Sequence, residues 1–406
     1  MGLEDKIAQE MEIKVDLIME GMNIEDAALE GVGTKYIETV NAFFDFMRHG
    51  LEAHKLWPSK IVFPNGTACK VAYDTRSPYL VCKEDDTLVL KKNGKFVSEV
   101  RWAERGKFYG QKTSFGTEMR KIAYFKGDCG IIVNVSDFCA TWSNGDECRF
   151  CNFGMAKKNA GTGAVMQVNL YTAQRAQEVA EFVKAAIDEG FQPCLLTSSG
   201  MMPGKKVSVS TIRIINAVKK ATGRDTMMGC VNLAVPKDFS EIDRLYEAGA
   251  RNIIIDQEVW HPDMFKAICP GKAAWAPRER WMGGLLHAVK VFGPGNVFNG
   301  YVLGLEAKEN YFEAARWNSS NGIVPLFQPW CPVKGSHLED HRAPRLNWMM
   351  EVHQKCMDIA ISNLPVMLTP EFNNSTKLGC YRCMGACFMW DDLRLRQIAL
   401  GSTAAA

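Results

Sequence analysis

The sequence predicts an α/β protein built on an incomplete parallel barrel, a partial (βα)6 TIM-type barrel with an α+β extension before it and a cysteine-rich tail after it. Three observations lead there. From Ile131 onward, short apolar runs alternate with amphipathic stretches, several of them ended by glycine. The short runs are apolar throughout, as strands buried on both faces are. Six strand-then-helix units fit between residues 126 and 370, and such alternation argues for a parallel barrel over segregated layers.

Residues 1–125 make the extension. To about residue 55 the pattern is helical: Ile24 to Glu30 holds good helix formers, and Tyr36, Val40, Phe43, Phe44 and Met47 recur at helical spacing. That stripe reads as core or a subunit contact. From about Ile61 short strands take over, and Thr87 to Trp102 reads as a hairpin turning at Asn93-Gly94. Barrel strands are expected at 131–135, 193–197, 226–235, 252–258, 297–303 and 323–328. Helices are expected at 172–190, 207–223, 237–249, 277–293, 308–322 and 346–363. Residues 371–406 form the tail.

A chain of 406 residues holds one large α/β domain and a smaller one. Apolar residues at 47% and charged residues at 23% are ordinary for a soluble enzyme. A net charge of +2 gives no bulk attraction for nucleic acid. No apolar run reaches the length of a membrane span, and the first ten residues lack a signal peptide's basic start and apolar middle. The expectation is a cytoplasmic protein acting on a small molecule, with neither nucleic acid nor membrane as partner. Fourteen cysteines in a reducing compartment point to metal or cluster ligation instead of a disulfide framework.

Six of those cysteines fall in two groups. Cys139, Cys148 and Cys151 sit in the loop that leaves the first barrel strand, spaced CX8CX2C. Three thiolates can hold three irons of a [4Fe-4S] cube and leave the fourth iron open for a ligand. A zinc site completed by a distant residue, or thiols that only pack, are the alternatives. Cys380, Cys383 and Cys387 lie within eight residues of the tail and read as ligands of a second iron–sulfur cluster or of zinc. The other eight are scattered and read as small buried hydrophobes.

An aromatic residue, Phe150, directly before the last of three cysteines in such a loop resembles the radical S-adenosylmethionine (radical SAM) superfamily. The last spacing is the family's usual one, and the first is expanded. Biotin-synthase-like and tyrosine-lyase-like members are the branch that the turn from Gly335 to Leu338 resembles. The resemblance implies a [4Fe-4S] cluster on Cys139, Cys148 and Cys151, with S-adenosylmethionine bound to it. It implies that the turn containing Ser198, Ser199 and Gly200 holds the methionine amino group, here without the glutamate that often follows. Glu258, with Asp256 as second candidate, would accept from the ribose hydroxyls. Arg280 or Arg278 stands where relatives place a cation for the methionine carboxylate. Gly300 and Gly304 match the glycines beside adenine, and Glu306 arrives one position early.

The activity so implied is reductive cleavage of S-adenosylmethionine to a 5′-deoxyadenosyl radical that takes hydrogen from a small molecule or cofactor precursor. An oxygen-sensitive enzyme with an electron donor such as flavodoxin or ferredoxin is expected. A non-catalytic iron–sulfur or zinc carrier is the alternative, and it would need neither the ribose carboxylate nor the glycines of the fifth strand.

Overall fold

The computed structural model describes residues 2–32, 57–58, 60–103, 106–125, 130–136, 139–152, 172–191, 194–202, 204–333, 335–369, 372 and 388–401. The stripe from Tyr36 to Met47 and the tail thiols Cys380, Cys383 and Cys387 lie outside these residues.

Helix α1 (Leu3–Glu20) opens the chain. The stretch after it, expected to be helical, instead holds strand β1 (Asn23–Ile24) and one short 3-10 turn, Asp26–Leu29. Strands β2 (Lys60–Val62), β3 (Ala68–Lys70), β4 (Tyr79–Glu84), β5 (Thr87–Lys92) and β6 (Lys95–Trp102) complete a six-stranded sheet in the order β1-β4-β5-β6-β2-β3. The β5–β6 hairpin turns where the sequence places it, with φ of 49° at Asn93 and 77° at Gly94. Positive φ at both central residues matches the right-handed twist of the two strands.

The second sheet has seven strands. Strand β7 (Tyr124–Phe125) pairs antiparallel with β8 (Gly130–Ser136). From β8 onward the neighbours are parallel: β9 (Cys194–Ser199), β10 (Gly229–Asn232), β11 (Ile253–Ile254), β12 (Val297–Leu303) and β13 (Ile323–Pro329). They follow one another in chain order, so the sheet is a mixed, open half-barrel. Helices α2 (Ala140–Asn144), α3 (Ala173–Asp188), α4 (Lys206–Thr222), α5 (Ser240–Ala248), α6 (Pro262–Ile268), α7 (Pro270–Trp275), α8 (Arg278–Phe292), α9 (Lys308–Ser320) and α10 (Leu346–Asn363) lie between and after the strands. Their ends have local causes. Thr172 caps α3 by accepting the Arg175 N–H, and Pro262 opens α6 at a position that needs no donor.

Strand β11 is much shorter than the apolar run suggests, because side chains replace its ladder partners. The Gly300 N–H donates to Asp256 Oδ1 at 2.8 Å, and the Gln257 N–H donates to Asn299 Oδ1 at 2.9 Å. Backbone pairing resumes only at Glu258, bridged to Tyr301. The excursion leaves Glu258 at φ 72°, a left-handed conformation that costs a non-glycine residue about 1–3 kcal/mol.

Helix α1 ties the two sheets together. Met11, Val15 and Met19, spaced by four, are buried in one cluster with Tyr301, Phe327 and Met349 of the half-barrel side. Leu17 and Ile18 on the other face are buried among the small sheet's Val81, Leu90 and Trp102. Its polar groups are satisfied across the same seam. Asp16 accepts from Tyr79 Oη and Lys92 Nζ, both at 2.6 Å, and Lys14 Nζ lies 2.7 Å from Asp391 of α11 (Met389–Ala399). The extension, the half-barrel and the tail helix therefore share one buried seam.

Candidate functional site

The cysteine loop leaves the C-terminal end of β8, where barrel chemistry is placed. Cys139 begins α2, and Cys148 and Cys151 form a turn closed by the Cys151 N–H on the Cys148 carbonyl at 2.9 Å. All three are partly exposed and not disulfide-bonded, whereas Cys69, Cys82, Cys230, Cys269, Cys331 and Cys356, likewise not disulfide-bonded, are buried.

Loops after other strands clamp this one. From the β9 side, the Met201 carbonyl accepts the Ala140 N–H at 2.8 Å, and the Met201 N–H donates to Cys139 Sγ at 3.4 Å. From the β11 side, the Arg149 N–H donates to the Ile268 carbonyl and the Gly271 N–H to the Asp146 carbonyl, at 2.8 and 2.9 Å. A Cβ on Gly271 would stand 2.3 Å from a Thr141 side-chain carbon, so only glycine permits that approach. From the β13 side, His337 Nε2 lies 2.7 Å from Glu147 Oε1 and 3.2 Å from Arg149 Nη1. This holds the Glu147 carboxylate below its ordinary pKa, although burial pushes the other way. The Gly335–Leu338 turn thus meets the cysteine loop through His337.

Beneath the loop lies a charged corner. Lys272 Nζ donates to Glu258 Oε1 and to the Asp256 carbonyl, both at 2.8 Å, and stands 5.5 Å from the centre of the Trp281 ring. Burial works against the ammonium, but Glu258, Cys148 and Asp256 hold its pKa above the ordinary value. Asp256 is pushed up to about 6, by burial first and the charge of Glu258 second. Its oxygens are engaged by the Gly300 N–H and by Asn232 Nδ2, each at 2.8 Å. A Cβ on Gly300 would lie 2.4 Å from Asp256 Oδ1. Cys148 is drawn below the usual thiol value, chiefly by a hydrogen bond from Cys269 and, against burial, by the charge of Lys272. Cys269 is pushed up, by burial and by Cys148.

The expected site residues divide sharply. Glu258 faces Lys272 through Oε1, and its Oε2 has no partner among the described residues. Gly200 directly follows β9, and Ser198 and Ser199 are the last residues of that strand. Phe150 packs against the core cluster that also touches Cys139 and Cys148. Gly304 hands its N–H to Tyr311 Oη at 2.9 Å. Arg280 donates to the carbonyls of Pro236 and Lys237, which uses its guanidinium to pin the loop after β10. Arg278 lies 4.4 Å from the Trp260 ring and donates to the Met282 sulfur. Glu306 accepts the Trp260 and His261 N–H groups, both at 2.7 Å, and so receives the chain just before α6.

Cys269 is not a lone packing residue, and neither it nor Lys272 stands out in the sequence as a site residue. Their signal was the Cys-Pro-Gly-Lys turn itself, which places a thiol and an ammonium three residues apart. Nothing periodic announces that this turn folds back under the cysteine loop.

The donor types suit an iron–sulfur cube, three partly exposed thiols on one loop with the thiolate of Cys148 favoured. Among the described residues, no three His, Cys, Asp or Glu side chains are gathered closely enough to hold one metal ion. No described helix is long and apolar enough to cross a membrane.

No protein-family model matches the chain. The chain is 31% identical over 240 residues to the bacteriochlorophyllide c C-7(1)-hydroxylase of Chlorobaculum limnaeum, a match covering 57% of this chain and 60% of that protein. The chain thus spans less than two thirds of that relative's length. Among solved structures it is similar to a radical SAM methyltransferase from Sphaerobacter thermophilus, with a TM-score of 0.43, 16% identity, and coverage of 71% of this chain and 76% of that one. It is also similar to coproporphyrinogen III oxidase from Escherichia coli, a radical SAM enzyme, with a TM-score of 0.39, 11% identity, and coverage of 63% and 58%. At these TM-scores the structural likenesses carry no argument about function.

Proposed function

We propose that this chain is a radical SAM enzyme that acts on a C–H bond of a small molecule or cofactor precursor. The observation that carries the reading is the Cys148 thiol, on one loop with Cys139 and Cys151 at the C-terminal end of the first parallel strand, standing beside the Glu258–Lys272 pair. Its sequence likeness to a bacteriochlorophyllide c C-7(1)-hydroxylase supports chemistry at a carbon atom.

Cys139, Cys148 and Cys151 would hold a [4Fe-4S] cluster. When bound, the cluster supplies the electron that cleaves S-adenosylmethionine to methionine and a 5′-deoxyadenosyl radical. The Cys269 thiol and the Lys272 ammonium favour the thiolate that Cys148 must present. Lys272 orients Glu258, whose Oε2 is left to accept from a ribose diol. Asp256, held by Asn232 Nδ2 and the Gly300 N–H, occupies the space beside Gly300 that a side chain there would need. The clamps from Met201, Gly271 and His337 fix the cysteine loop over this corner. On their spacing alone, Cys380, Cys383 and Cys387 are proposed as ligands of a second iron–sulfur cluster or of zinc. An electron donor such as flavodoxin or ferredoxin belongs to the same proposal.

The test is anaerobic reconstitution with iron and sulfide, followed by dithionite and S-adenosylmethionine. 5′-Deoxyadenosine should form, and Cys139→Ala, Cys148→Ala and Cys151→Ala should each abolish it. Undiminished cleavage in all three variants would overturn the assignment.

A further inference from the structure

A cavity of about 490 Å³ opens beside this corner, between the loops after β9 and β10 and the end of α7. Its wall is apolar: Met202, Val207, Leu233, Ala234 and the Trp275 ring. Trp275 spends its only polar atom inward, donating Nε1–H to the Val235 carbonyl at 2.9 Å, so the indole is fixed and offers the cavity only its ring surface. The rim is rigid for a related reason. Arg280 holds the Pro236 and Lys237 carbonyls, which fixes the Lys237 backbone.

The charges at the mouth are not equivalent. Lys205 is paired with Asp238 at 3.0 Å, and Glu241 accepts from Ser208 Oγ at 2.5 Å. Lys237 is exposed and has no carboxylate partner among the described residues, which leaves its ammonium available at the mouth. A fixed aromatic wall, a volume suited to about two or three fused rings, and the Lys237 ammonium define a ligand chemistry.

We propose that this cavity binds a flat, apolar molecule bearing a single carboxylate, with the ring system against Trp275 and the acid at Lys237. This names a substrate class for the radical reading, and it rests on that reading only for what happens after binding.

The test is calorimetric titration of the full chain as purified, without reductant or S-adenosylmethionine. The probes are 2-naphthoate and its neutral counterpart, 2-naphthylmethanol. The acid should bind with one-to-one stoichiometry and about three- to fivefold more tightly than the alcohol, the range of an exposed charge pair. Lys237→Gln, at an exposed position, should erase that difference while the alcohol still binds. Ala274→Trp, also at an exposed position, should fill the mouth and remove both heats. Equal affinity for acid and alcohol in the unaltered chain would overturn the proposal. So would binding unaffected by Ala274→Trp, or no heat from either probe at millimolar concentration. Naphthoate binding in a chain that makes no 5′-deoxyadenosine would sink the radical reading and leave the cavity assignment standing.

Discussion

Cys69 and Cys148 each stand beside a lysine paired with a carboxylate: Lys14 with Asp391 at 2.7 Å, and Lys272 with Glu258 at 2.8 Å. The two thiols end in opposite states. Cys69 is pushed up to about 12, by burial first, with the pull of Lys14 opposed by Asp391. Its S–H points at the Lys70 and Lys14 carbonyls, at 3.4 and 3.8 Å, which favours the neutral form. Cys148 is drawn down because the thiol beside it, Cys269, donates to it. A lysine within a neutralised pair thus does not decide the state of a nearby thiol. The direction of the thiol's own hydrogen bond does. One corner is built to join elements, and the other to keep a thiolate available.

The sharpest way to break the comparison is to remove one partner from each pair. Asp391→Ala takes its 2.7 Å carboxylate from Lys14, only 4% of whose side chain is exposed, and should cost about 3–5 kcal/mol in urea unfolding. Replacing both partners, Lys14→Met with Asp391→Leu, should recover most of that, because the seam around them is apolar. Lys272→Met should cost less, about 1–3 kcal/mol, because its carboxylate partner is 21% exposed and can be hydrated. Equal losses would mean that the two corners serve the same structural purpose.

A second difference concerns ligand binding. Glu258→Gln keeps the shape but removes the charge, and should weaken S-adenosylmethionine binding by about 1.5–3 kcal/mol in a titration. Asp391→Asn should leave that affinity unchanged. An unaltered dissociation constant in Glu258→Gln would move the ribose role to another acceptor.

Much of the half-barrel was legible because burial on both faces makes strands predominantly apolar, as in Val297–Leu303 and Ile323–Pro329, and burial on one face gives helices a helical spacing of apolar residues, as in Leu346–Asn363. The run from Asn252 to Glu258 misled, since Asp256 and Asn299 look like ordinary strand-end residues until their side chains take backbone N–H groups. Composition does not reveal such a substitution. The stretch after α1 also misled: good helix formers at Asp26–Leu29 make only a 3-10 turn, as β1 uses the preceding residues to join β4. In the site, Glu258 and the cysteine loop could be named because each sits at a strand end. Lys272, Cys269 and His337 could not, since their importance comes from contacts across 14 to 190 positions of sequence.

A third expectation follows from Asp256. Its folded pKa, near 6, lies above the ordinary carboxylate value, so the folded state binds the proton more tightly than the unfolded chain does. Stability should therefore be fuller at low pH, fall as pH rises from about 4 to about 6, and level off above that. Asp256→Asn, which still offers an oxygen to the Gly300 N–H, should remove this component from the pH dependence of urea unfolding. A wild-type profile that parallels the variant's across that window would show that Asp256 ionises freely.

The smallest expected effect tests the comparison most directly. If the hydrogen bond from Cys269 sets the state of Cys148, then Cys269→Ala should slow alkylation of Cys148 by iodoacetamide near pH 7, because less thiolate is present. The slowing should be severalfold and not complete, since Lys272 still favours the anion. Cys269 is fully buried, and truncating it opens a small void that would, if anything, admit reagent and speed the reaction. The two causes therefore act in opposite directions, and the sign of the change separates them. Cys69 serves as the internal control: it has no such donor among the described residues, is fully buried, and should stay unmodified until the chain unfolds. Mass spectrometry of the alkylated peptides reads both thiols in one sample. An unchanged or faster rate at Cys148 would return the decision to burial and charge, and the contrast between the two corners would fail.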